Sequence, residues 1–116
     1  MAKIPVMPVG GESGGVVFGT YTGNGSTSRN VPLGFRPKAV LVFRRDGSVN
    51  YGNNGYGGYY GGLALDGYPC KTYYNDSQSQ TVVSIYQSGF TVYYQDGNSQ
   101  PETNSPNWMY YYIAFR

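Results

Sequence analysis

Residues 48–61 read Ser-Val-Asn-Tyr-Gly-Asn-Asn-Gly-Tyr-Gly-Gly-Tyr-Tyr-Gly, and here residue type points most directly to chemistry. Tyr51, Tyr56, Tyr59 and Tyr60 each present a flat apolar ring with a polar tip, a shape that can cover the C–H face of a sugar while meeting its hydroxyls. Tyrosine among glycines is also what recognition loops favour, because Tyr gives a large contact area at low entropic cost. Asn53 and Asn54 add amide donors and acceptors, and Tyr68, Tyr73 and Tyr74 extend the same reading downstream. Contact between copies of the chain and packing within it are the competing roles for these rings; ligand recognition leads. Arg44 and Arg45 can grip a phosphate of teichoic acid or a sugar carboxylate in bidentate fashion, although two arginines before Asp46-Gly47 read first as a solvated turn.

The residue types that catalysis needs are scarce. There is no His, which removes the commonest general base and zinc ligand. The single cysteine, Cys70, excludes an internal disulfide, a cysteine metal cluster and a Cys–His nucleophile, and reads as a half-buried thiol. The six acids (Glu12, Asp46, Asp66, Asp76, Asp96 and Glu102) all fall in linker or loop sequence, so a carboxylate pair for glycoside hydrolysis is not expected. Asp46, Asp66 and Asp96 each precede Gly, as turns require, without the ligand spacing of a calcium loop. The expectation is a non-catalytic chain with no cofactor and no metal. Eight Lys and Arg against six acids give a formal net charge of +2 with no basic stripe, so nucleic acid is not expected as a partner. No run of 18 apolar residues would form a membrane-crossing helix, and the first residues lack the apolar stretch of a signal peptide.

These side chains need elements to position them. The length of 116 residues suits one domain. Residues 1–15, with Pro5, Pro8 and Gly10-Gly11-Glu12-Ser13-Gly14-Gly15, read as a linker or N-terminal arm, leaving 16–116 as the domain. Strands are expected at 16–22, 29–33, 38–44, 62–65, 81–86, 90–95 and 108–115, separated by turn residues such as Gly23-Asn24-Gly25 and Ser88-Gly89. No window carries the apolar spacing of an amphipathic helix. An antiparallel β-sandwich or barrel follows, and the reading adopted is an all-β sandwich of seven or eight strands with long Gly/Tyr-rich loops. Five glycines in 48–61 argue against a regular element there, so that segment reads as a long surface loop, as does 96–107. Strand 38–44 is apolar on both faces and therefore central. In the last strand, Met109, Tyr111, Ile113 and Phe115 read as the core face. Trp108, Tyr110 and Tyr112 then form a row of rings too apolar to stay exposed on a monomer, which suits an interface between copies.

Residues 19–47, Gly-Thr-Tyr-Thr-Gly-Asn-Gly-Ser-Thr-Ser-Arg-Asn-Val-Pro-Leu-Gly-Phe-Arg-Pro-Lys-Ala-Val-Leu-Val-Phe-Arg-Arg-Asp-Gly, resemble a module at the C-terminal end of bacteriophage tail-fibre and minor structural proteins, common in phages and prophages of Gram-positive bacteria. Gly61-Gly62-Leu63-Ala64-Leu65, Ser88-Gly89-Phe90-Thr91-Val92 and Tyr112-Ile113-Ala114-Phe115-Arg116 match further pieces in the same order, whereas 48–60 and 66–87 depart from it. The resemblance implies a β-structured receptor-binding domain in the virion tail, often a homotrimer, with a host cell-surface glycan or teichoic acid as partner and no catalytic residue to carry over. A structural fibre-end or trimerisation domain, and a carbohydrate-binding module of a cell-wall hydrolase, are the alternatives. The first string also has a purely structural reading, with Gly34 and Pro37 as turn punctuation and Phe35 plugging one end of the sandwich.

Overall fold

Eleven strands follow one another in the computed structural model, which describes residues 15–53, 56–72, 79–97 and 100–116. They are β1 (Val16–Thr22), β2 (Ser28–Pro32), β3 (Ala39–Arg44), β4 (Asn50–Asn53), β5 (Tyr56–Tyr59), β6 (Gly62–Leu65), β7 (Cys70–Lys71), β8 (Thr81–Tyr86), β9 (Gly89–Tyr93), β10 (Gln100–Pro101) and β11 (Met109–Phe115). Among the described residues there is no helix. The seven strands expected from β-branched and aromatic runs are present with ends within two residues of the reading. The count is higher than seven or eight because four short strands join them.

Two four-stranded sheets form the sandwich: a first sheet in the order β1-β11-β3-β6 and a second in the order β2-β9-β8-β7. Their neighbours are all antiparallel. The central place of β3, between β11 and β6, follows from its apolar residues on both faces. Between the sheets lie Tyr21, Val40, Val42, Ala64, Tyr110 and Ala114 from the first and Val31, Val83, Phe90 and Val92 from the second, all buried. Phe90 is the pin of this core. Its ring meets Tyr21 edge-on at 6.1 Å and Tyr112 at 5.0 Å, while Tyr21 stacks on Tyr110 at 5.0 Å.

Two expectations are corrected. Segment 48–61 is not a structureless loop: β4 and β5 pair antiparallel, Gly52 opposite Gly57, and β10 adds in parallel beside β5 to make a third, small sheet. Glycine's poor intrinsic preference is overridden by ladder partners, and the absence of a side chain at Gly58 leaves room for the Glu102 carboxylate, which a Cβ there would push aside.

The second correction concerns the last strand, whose faces are the reverse of the reading. Tyr110 (0% exposed) and Ala114 point into the core with Tyr112 packed against it, whereas Met109, Tyr111 and Phe115 are exposed on the outward face. Both faces of β11 are apolar, so alternation alone did not decide between them. Hydroxyl partners and space do. The Tyr110 hydroxyl donates to the Glu102 carbonyl, and the Tyr112 ring lies over Gly19, where a Cβ would not fit. Of the row of Trp108, Tyr110 and Tyr112, only Trp108 therefore stays exposed, and the three rings do not together present a surface to a partner.

Candidate functional site

Arg44 ends β3, and its inward parity after Val40 and Val42 carries it to the open end of the sandwich. A cation in that position needs cover, and two rings supply it. The guanidinium carbon lies 3.8 Å from the Tyr60 centroid and 3.8 Å from the Trp108 centroid. A planar cation accommodates two such contacts on opposite faces, each worth about 0.5–2 kcal/mol according to how dry it is. The Nε–H of Arg44 is buried and has no acceptor among the described residues. Trp108 keeps 47% of its surface exposed, so much of its indole remains open beside the stack.

Local chain geometry sets this arrangement. Asp46 accepts hydrogen bonds from the backbone N–H and the hydroxyl of Ser48, at 3.0 and 2.6 Å, and Gly47 takes a positive φ of 87°. That Asx turn brings the Arg44 N–H onto the Ser48 carbonyl at 2.9 Å. The Val49 carbonyl then accepts from both Tyr60 and Gly61, at 2.8 and 3.1 Å, holding Tyr60 over Arg44. Gly61 passes so close to the Val42 carbonyl that no Cβ fits. From the other side, the Arg45 N–H reaches the Met109 carbonyl at 3.1 Å, fixing the start of β11 and Trp108 with it.

Glu102 completes this end. Its backbone N–H donates to the Tyr59 carbonyl at 2.8 Å, and its half-buried carboxyl lies against Gly58. Burial pushes that carboxyl above the usual carboxylate range, with the Arg44 charge pulling it back. Behind it, residues 103–105 are buried polar groups that the loop reading of 96–107 did not anticipate. The Thr103 hydroxyl donates to the Val82 carbonyl at 2.7 Å and accepts from the Tyr93 N–H at 2.8 Å, bridging β8 and β9. Asn104 accepts from the Asn24 N–H at 3.1 Å and donates to the Asn24 side chain at 2.7 Å and the Ser26 carbonyl at 3.0 Å, tying this loop to the β1–β2 turn. The Tyr21 hydroxyl donates to the Thr103 carbonyl at 2.6 Å, and burial drives its pKa far up. The platform carrying the stack is thereby rigid.

Of the residues read as ligand-binding, Arg44 and Tyr60 come together here, joined by Trp108, which was assigned to an interface. Tyr59 packs against the core. Arg45 is exposed in its turn, as its plain reading held. Tyr68 is exposed but bridges back to Leu65, whose partner Ala39 starts β3, so it sits at the opposite end of the first sheet from Arg44. It does not extend the same surface. The backbones of Tyr51, Asn53 and Tyr56 belong to β4 and β5, but their side chains lie outside the described residues, as do Asn54, Tyr73 and Tyr74 entirely. Cys70 is half-buried, and burial pushes its thiol up. Among the described residues no three acidic or cysteine side chains gather, and no helix is long and apolar enough to cross a membrane.

Comparison with family models, with curated proteins and with solved structures returned no match. The likeness of residues 19–47 to phage tail modules therefore stands on those residues alone.

Proposed function

We propose that the chain is a non-catalytic recognition module of a phage tail tip or fibre that binds host cell-surface carbohydrate at the Tyr60–Arg44–Trp108 stack. The observation that carries this reading is the half-exposed indole of Trp108, rigidly held against a guanidinium at the sandwich end that also bears the β4–β5 hairpin. An indole face covers the C–H face of a pyranose, and the Arg44 guanidinium and Glu102 carboxyl beside it supply a donor array and an acceptor for hydroxyls or an anionic substituent. The phage setting comes from the resemblance of residues 19–47. A single shallow site of this kind binds weakly, and several copies on one particle would raise avidity through effective concentration.

Trp108 is the only tryptophan in the chain, so its emission reports on the site directly. Titration with fragments of Gram-positive cell wall should shift or quench it, and Tyr60→Ala should abolish binding while leaving the fold cooperative. No binding by the wild-type chain to any glycan on an array, nor to intact cell walls, would sink the proposal. The structural alternative, a fibre-end domain whose role is assembly, draws on a different region: the uncovered apolar face of the first sheet.

A further inference from the structure

We infer that the outward face of the first sheet is where a second copy of this chain packs, sheet against sheet about a two-fold axis. This goes beyond the carbohydrate reading and stands without it, since the two surfaces share no residue.

The strand registers lay the face out as rows. Val16, Phe115, Ala39 and Leu65 form one row across β1, β11, β3 and β6; Phe18, Ile113, Leu41 and Leu63 form the next; Thr20, Tyr111 and Phe43 form a third. Ten of these eleven residues are apolar or aromatic and none is charged. Phe18 is 72% exposed and Leu63 53%, at opposite edges of the sheet, so the patch runs its full width. Monomeric proteins rarely leave such a contiguous patch facing water.

Three properties select a second copy as the occupant. The first is area. With each large side chain offering up to about 150–250 Å², the exposed fractions present on the order of 600 Å² per copy. Two copies then bury on the order of 1,200 Å², the lower edge of a standard stable interface. The second is shape. Phe18 stands up beside a hollow of ≈ 290 Å³ whose lining includes Phe18 itself, Phe43, Tyr111 and Ile113. A knob next to its own hole is self-complementary: a two-fold axis between them places each Phe18 in the hollow of the other copy. The third is charge. A face without charges sets no like charges against each other when paired with itself, while Arg36, Lys38 and Asp66 lie beyond its edge as a polar rim. A knob and hole on one face close about a two-fold axis, so a dimer is expected in place of the trimer that the family resemblance implies.

Sedimentation velocity across micromolar concentrations tests the inference, with Phe18→Glu and Leu63→Glu on this face and Thr91→Glu on the outward face of the second sheet. The wild type and Thr91→Glu should sediment as dimers. Each face variant should weaken self-association by at least about a hundredfold, because an unpaired carboxylate would be buried. Phe18→Ser, a gentler change, gives the same test if a glutamate variant does not fold. A monomeric or trimeric wild type, a dimer that survives Phe18→Glu, or one lost in Thr91→Glu would overturn the inference. Because Tyr60→Ala touches only the stack, it should remain dimeric, so failure of the sugar reading and failure of this one are read separately.

Discussion

The two outward faces of the sandwich are built on the same alternation yet carry opposite chemistry. On the second sheet, the outward positions of β2, β9 and β8 include Asn30, Thr91 and Ser84, with Val82 beside them buried. Their polar groups are engaged with one another across the strands: Thr91 donates to Asn30 at 2.8 Å, and the Ser84 and Tyr93 hydroxyls lie 2.8 Å apart. On the first sheet the corresponding positions are Phe18, Ile113, Leu41 and Leu63. An antiparallel sheet can face water on one side, and the second sheet is made for that. The first sheet has two apolar faces, as a sheet does when it is covered on both. The difference separates a surface that ends the molecule from one that continues it.

The comparison breaks first at the core the sheets share. If the inner and outer faces are as described, Phe90→Ala should cost about 3–5 kcal/mol, because its ring fills the space between Tyr21 and Tyr112. Chemical denaturation measures this, and a cost near that of a surface substitution would mean the faces are misassigned. Next comes the buried polar tie at the sandwich end. Asn104→Ala should cost about 1–3 kcal/mol, since it leaves Asn24 and Ser26 groups without their partner. An unchanged unfolding midpoint would show that this loop does not brace the stack.

The outward faces themselves give a smaller and more pointed contrast. Phe18→Ser changes an exposed position and Thr91→Val a half-buried one on the outward face, and each should leave the stability of the isolated monomer within about 0.5 kcal/mol. Their effects on association should be opposite in kind. Phe18→Ser removes the knob and should favour the monomer, whereas Thr91→Val adds apolar surface to the water-facing sheet and should leave the dimer intact. Equal behaviour of the two variants in sedimentation would erase the distinction between the faces.

How much of this was legible in the sequence depended on whether one face of each strand was polar. In β8 and β9, Val83, Ile85, Phe90 and Val92 alternate with Ser84 and Thr91, so the strands and the turn between them were readable, although Val82 on the Ser84 side is buried as well. In β11 the alternation sets Met109, Tyr111, Ile113 and Phe115 against Tyr110, Tyr112 and Ala114, both apolar, and the facing was not. Hydroxyl partners and the gap over Gly19 decided it, and both depend on residues distant in sequence. The hairpin of β4 and β5 was hidden because glycine weakens a strand on its own but permits the close approach of Glu102. Arg44 and Trp108 were each singled out, yet for separate roles 64 positions apart. Parity did hold the clue, for Arg44 continues the inward series of Val40 and Val42, and a cation there needs aromatic cover.

The smallest effect lies at the rim of the apolar face, where Arg36 grips Asp66 in bidentate fashion, with Nε at 3.0 Å from both carboxylate oxygens and Nη2 at 2.7 Å from one. Both side chains are close to half exposed, so solvent screens the pair and its contribution should be slight. Its sign is nevertheless fixed. The Arg36 hydrogen bonds hold the Asp66 carboxyl below its usual range in the folded chain. The stabilisation is therefore present above the carboxyl's unfolded pKa and is lost as pH falls through the lower folded value. Asp66→Asn should be slightly less stable than the wild type at neutral pH, with the two melting curves converging in acid or in high salt. A gap that persists in acid would mean that Asp66 supports the β6–β7 turn through its shape and not through its charge. In that case the rim is set by backbone geometry, and only the apolar rows inside it distinguish the first face from the second.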